Sequence, residues 1–190
     1  MNNGVAMKLS DGEKLILIML SEIYEHLQIK SAIDPTFVQD AIHTGNIWGL
    51  DWEYIGIFHG TDHDDPPALH ETVEIMGMWD NIEFAYEQLS DGDKERVKKE
   101  AEPFGEHARF RGFDGNNETE HLSIARFLID KLDRFSRFKG RSLNSHAPSL
   151  DTYNRMLSAY KEVVRSDPMP PLSASQLIQI LNEQVHPSNR

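Results

Sequence analysis

The sequence predicts an all-α protein, a compact multi-helix bundle of about seven to eight helices, on three observations. Apolar residues recur at three- and four-residue intervals along most of the chain. Helix-start and helix-stop residues bracket those stretches. Strand signals are weaker than helical ones throughout.

The first element follows residues 1–8, which are expected to form a short disordered N-terminus. Ser10-Asp11-Gly12-Glu13 fits a capping box, with Ser10 as N-cap and Glu13 reaching back to its amide. Ile16, Met19, Leu20, Ile23 and Leu27 follow at helical spacing. Leu15, Leu17 and Ile18 make this helix apolar nearly all round, so it should be buried on most sides, as a central helix or at a subunit interface. A second helix should start at Asp34-Pro35 and stop at Gly45, because proline is tolerated at the first helical position and glycine suits the C-terminal cap. The aromatic-rich stretch from Ile47 to Phe58 reads as a short helix. His59 to Pro67 (HGTDHDDPP) reads as a loop.

Beyond Pro67 a long helix is expected, with Ile75, Met78, Trp79, Ile82, Ala85, Tyr86 and Leu89 as its apolar stripe. Gly77 within it should let another helix approach closely. Ser90-Asp91-Gly92-Asp93 starts a charged helix that ends before Pro103. Three more helices follow: Glu118 to Phe138, Leu150 to Arg165, and one opened by the capping box Ser173-Ala174-Ser175-Gln176. Pro168 to Pro171 reads as a hinge-like connection. Nothing resembles a flexible inter-domain linker, so residues 1–190 read as a single domain.

Charge and composition narrow the function. The formal charge of -12 is uneven: residues 51–102 hold 15 acids against 4 bases, while residues 103–190 hold 10 acids and 12 bases. An acidic molecule repels polyanions, which makes nucleic acid an unlikely partner. The chain has no cysteine, which excludes disulfides, thiolate metal sites and cysteine nucleophiles and fits a reducing compartment. The longest apolar run, Leu15 to Leu20, falls well short of the ~20 residues of a spanning helix. The opening residues lack the pattern of a signal peptide. A cytoplasmic protein with no membrane partner is expected.

Gly112-Phe113-Asp114, the helix near Glu118, and Tyr153-x-x-Met156-Leu157 followed by Leu172-Ser173-Ala174 occur in that order, after the opening run Leu15-Ile16-Leu17. On these residues the chain resembles the YfbU family of bacterial proteins. The resemblance extends over the first helix, the Trp48-Gly49-Leu50 region, the Ile75-Met76 helix and most of residues 110–182. It implies an all-helical fold and self-association, and it brings no catalytic residues with it. The chain departs from the family in the 59–67 loop and in the acidic segment Ser90 to Glu102, which read as insertions or local replacements.

Three clusters carry chemistry to be weighed. His59, Asp62, His63, Asp64 and Asp65 bring together ligand types suited to zinc, manganese or iron, and His63-Asp64 resembles the doublet of helical metal-dependent phosphohydrolases. That doublet normally sits on a helix, whereas here it lies in a proline-bounded loop, so a solvated acidic loop is favoured over a metal site. Asp114-Gly115-Asn116-Asn117-Glu118 resembles the start of a calcium loop, but Thr119 and Ala125 stand where glycine and glutamate are required, so helix capping is favoured. Arg134, Arg137, Lys139 and Arg141, interleaved with Phe135 and Phe138, form a basic cluster near an expected helix C-terminus. Cations completing the helix end, with the phenylalanines packed inward, are the favoured reading; the cluster also suits a phosphate, a nucleic acid, an acidic partner, or the acidic 51–102 block of the same or another subunit.

The resulting expectation is a non-enzymatic homo-oligomer without cofactor, acting through protein–protein contacts in a regulatory or stress-related role. The alternatives are a phosphohydrolase using the His59–Asp65 loop and a nucleic-acid regulator using the Arg134–Arg141 patch.

Overall fold

A computed structural model describes residues 8–57, 65–167, 171–186 and 188. Among them are eight α-helices: α1 (Asp11–His26), α2 (Pro35–Thr44), α3 (Trp48–Glu53), α4 (Pro67–Gln88), α5 (Asp91–Glu100), α6 (Thr119–Asp130), α7 (Leu150–Ser166) and α8 (Ala174–Asn182). Short 3-10 turns occupy Phe104–His107 and Ser136–Phe138. The described residues contain no sheet, and the fold is all-α. None of their helices is long and apolar enough to cross a membrane.

The local signals act where the sequence places them. Ser10 and Glu13 complete a reciprocal capping box on α1, and Ser173 and Gln176 do the same on α8. Pro35 stands at the start of α2, and Gly45 ends it in the left-handed conformation at φ 75°. The Ser90 hydroxyl accepts the Asp93 amide at the head of α5.

The long α4 is the centre of the bundle, packing on α6, α7 and α8. Its stripe of Leu69, Ile75, Met76, Met78, Trp79, Ile82 and Ala85 is buried. Around it lie Met156 and the rings of Phe110, Phe113, Phe138 and Tyr153; Phe110 and Tyr153 meet Trp79, and the four rings meet one another edge-on or tilted. The 112–114 segment runs beside 143–145: the Phe113 amide donates to the Leu143 carbonyl, and the Ser145 amide donates to the Phe113 carbonyl. Only glycine fits at position 112, where φ is 83° and an added Cβ would lie 1.8 Å from the Leu143 oxygen.

Three expectations need correction. The helix from Glu118 does not reach Phe138; it ends at Asp130. The Leu132 amide closes back on the Phe127 carbonyl, and Asp133 and Phe135 both adopt positive φ, which turns the chain toward α4. Among the described residues no helix approaches Gly77 closely, since nothing there lies within 4 Å of where its Cβ would stand. Finally, α1 is not central: it lies at the edge of the bundle on α2, and of its own residues only Ser21 is buried. The expected N-terminal tail (1–8) and the hinge (Pro168 to Pro171) fall largely outside the described residues.

Candidate functional site

The outer face of α1 is apolar and exposed. A helix advances 100° per residue, so Leu15, Ile16, Met19, Leu20, Ile23 and Leu27 share an arc of roughly 140°. All six are 50–62% exposed. The opposite side of the helix, through Leu17, Ile18 and Ser21, faces the bundle. Just past the helix end, Ile29 and Ile33 are also exposed, as are Ile55 and Ile57. The Asp34 amide donates to the Tyr54 hydroxyl at 2.9 Å, which ties these two loops together. Soluble monomers rarely expose apolar patches larger than a few hundred Å².

The basic cluster has a different setting. Arg137 donates from Nε to Asp80 at 2.9 Å and from Nη1 to Glu87 at 2.6 Å. Those carboxylates, Glu87 first and then Asp80, hold its pKa above the usual arginine value. Arg141 makes a bidentate pair with Glu83, both distances 2.8 Å, and Glu83 also accepts the Phe110 amide at 2.8 Å. Lys139 pairs with Asp133 at 2.7 Å, and the Arg134 guanidinium lies 4.8 Å from the centre of the Trp52 ring. Asp80, Glu83 and Glu87 stand at i, i+3 and i+7, one face of α4. Arg137 and Arg141 thus meet the acidic block within the chain, while Lys139 pairs with Asp133 and Arg134 lies over Trp52.

Two carboxylate centres, one buried and one partly buried, escaped the sequence reading. Glu118 accepts from the Asp114 amide at 2.8 Å, the Ser149 hydroxyl at 2.6 Å, the Leu150 amide at 2.8 Å, and the Ser149 amide. Ser149 is the N-cap of α7 and makes no side-chain cap of its own, so Glu118 caps α7 from a distance. Burial opposes ionisation of Glu118, but the hydrogen bonds from Ser149, Asp114 and Leu150 outweigh it and hold the pKa below the usual carboxylate range. Glu71 meets His121 Nε2 at 2.7 Å and the Asn154 amide group at 2.7 Å, joining α4, α6 and α7. Its pKa is also lowered: burial acts against the charge, and Asn154 and His121 more than offset it. No spacing rule flags either centre, because apart from the Asp114 amide the partners lie 31 to 83 residues away.

Of the metal candidates, His59, His63 and Asp64 lie outside the described residues. Among the described residues no three histidine or carboxylate side chains converge as a metal cluster would. The expected capping by the Asp114 segment takes another form. Asp114 is buried and accepts the Asn116 amide and the Asn117 side chain as a turn, while α6 itself begins without a side-chain cap. An open groove of about 400 Å³ runs between the end of α2 and α6, lined by Thr44, Leu122, Ser123, Arg126, Phe127 and Lys131. Lys131 in it is paired with Asp40.

The geometry defines an all-helical protein centred on one long helix, fastened by internal ion pairs and bearing one exposed apolar helix. Comparison with known proteins gives the class its name: the chain belongs to the YfbU family, whose domain matches residues 7–183. It is also 29% identical over 115 residues to the UPF0304 protein MJECS11 of the archaeon Methanocaldococcus jannaschii, a match covering 58% of this chain and 64% of that protein. The likeness therefore reaches beyond bacteria. The chain spans less than two thirds of that relative's length.

Proposed function

We propose that this protein is a non-enzymatic homo-oligomer of the cytoplasm that acts through protein–protein contacts, with the outer face of α1 as its assembly surface. The observation that carries the reading is the six-residue apolar stripe left exposed on α1. Half-exposed leucines and isoleucines offer on the order of 100 Å² apiece, so the stripe and its four flanking isoleucines present roughly 1,000 Å², against the ~800 Å² per partner of a standard interface. The internal pairing of Arg137 and Arg141 favours this reading over nucleic-acid binding, since counterion release from a phosphate backbone needs cations that are free to meet it.

Light scattering coupled to size exclusion, at tens of micromolar chain, tests the proposal. The expected mass is at least twice the 21.8 kDa of one chain. The paired substitution Leu20→Glu with Ile23→Glu is expected to return it to one chain mass with an unchanged helical circular dichroism spectrum. A single-chain mass for the unsubstituted protein overturns it.

A further inference from the structure

We infer that α1 is a strap: in the lone chain it opens from α2 far more readily than the core helices unfold, and self-association locks it closed. The lock rests on the self-association reading. The opening stands on the packing of α1 alone.

A helix is held by what it buries, and α1 buries little. Of its 16 residues only Ser21 is buried. Lys14, Leu17, Ile18 and Tyr24 are half-buried, and the rest are exposed. By contrast α4 buries nine residues, α6 six, and α7 and α8 four each. Helix α5 also buries a single side chain, Val97, but it packs on both α8 and the 104–107 turn and is tied to each, by Asn182 to the Glu100 carbonyl and by Lys98 to Glu106.

The attachments of α1 are few. It packs against α2, and no other helix of the described chain has more than incidental contact with it. Among the described residues one side-chain hydrogen bond joins it to another helix: the Thr36 hydroxyl donates to Glu25 at 2.9 Å, with both groups exposed to water. Helix α2 is itself held by the core, through buried Phe37, Val38, Ala41 and Ile42 and a Phe37 ring 5.4 Å from that of Phe127 on α6. Opening of α1 therefore leaves α2 in place. The connection between them, residues 27–34, is exposed along its whole length, so it can swing as a hinge without uncovering anything.

Freed from its neighbour, a 16-residue helix lies near the length at which helices in water are marginal, so α1 loses order as it opens. Its outer stripe exists as one face only while α1 is helical. A second copy seated on that stripe binds the closed, ordered form and draws the equilibrium toward it.

Hydrogen–deuterium exchange, read peptide by peptide in a mass spectrometer, tests both parts. The Leu20→Glu with Ile23→Glu variant supplies the lone chain. Its α1 amides are expected to exchange at least about 100-fold faster than those of α4. Adding Glu25→Cys with Thr36→Cys, bridged by a short bis-maleimide, pins α1 to α2 in a chain that has no other cysteine. Exchange in α1 should then slow by about tenfold or more. In the unsubstituted protein at tens of micromolar it should slow to a similar degree, with α4 unchanged. Amides of α1 as slow as those of α4 in the lone chain would overturn the inference. Fast exchange that survives the bridge overturns it as well, because α1 is then fraying in place. An oligomeric mass with α1 exchanging as fast as in the lone chain overturns the lock. A single-chain mass for the unsubstituted protein instead defeats the underlying self-association reading.

Discussion

Replacing Glu83 by alanine tests the claim that Arg137 and Arg141 fasten the 131–141 segment to α4. The Glu83 side chain is 5% exposed and that of Arg141 is 20% exposed, so the substitution strands a largely buried guanidinium and the buried Phe110 amide together. Breaking a buried pair by removing one partner costs roughly 3–5 kcal/mol; water can reach part of Arg141, which sets the expectation near the lower end, at about 3 kcal/mol. For a chain of this size that corresponds to a fall in Tm of roughly 6–12 °C. Arg141→Ala should cost about as much, because it leaves a buried carboxylate with one hydrogen bond. The double variant should cost about 2–3 kcal/mol less than the two single losses added together, since the pair acts as a unit. Arg137 is the internal control. Its partners Asp80 and Glu87 are 44% and 56% exposed, so Arg137→Ala should cost only about 1 kcal/mol. Urea unfolding followed by circular dichroism, at one fixed protein concentration, reads all four values. A loss for Glu83→Ala no larger than that for Arg137→Ala would refute the reasoning, as would additive losses in the double variant.

Acid sensitivity should reflect Glu118 and Glu71. Both have folded pKa values below their unfolded ones, so their stabilisation is complete above the unfolded value of about 4.3 and is lost as pH falls through the folded values. Glu118→Gln is therefore expected to lower Tm at pH 7, with the difference from the unsubstituted protein narrowing below about pH 4 in calorimetry. Gly112→Ala should destabilise by about 3 kcal/mol or more, because strain at positive φ adds to a clash with the Leu143 carbonyl; denaturant unfolding with a loss under about 1 kcal/mol would contradict the close approach. Ser173→Ala removes one half of the α8 capping box and should cost about 1 kcal/mol in the same assay.

Much of the fold was legible because its signals are local. Capping boxes at Ser10 and Ser173, the Pro35 start and the Gly45 stop depend only on residues within four positions of one another. Family membership was legible as well, from ordered segments spread along the chain. The end of α6 was not. Leu132 and Phe135 continue the apolar spacing, and the two residues that adopt positive φ, Asp133 and Phe135, are not glycine. The chain turns there because Arg137 and Arg141 find carboxylates on α4, 50 to 58 residues back, and no local rule sees such partners. Glu83 likewise reads in sequence as one acid among many on a solvated helix face. For α1, periodicity showed apolar residues all round the helix, but only the packed structure separates the face covered by α2 from the face left bare.

The Glu83–Arg141 pair also fixes an order of events during synthesis. Helix α4 leaves the ribosome with an acid on the face it must bury, and the matching cation follows 58 residues later. At ~5–20 residues per second the interval lasts roughly 3–12 s. Glu118 likewise emerges 31 residues ahead of Ser149, whose hydroxyl and amide donate to it. The central helix therefore cannot settle into its final surroundings as it emerges. Its apolar face cannot be fully covered until α6, α7 and α8, all later in the chain, have emerged.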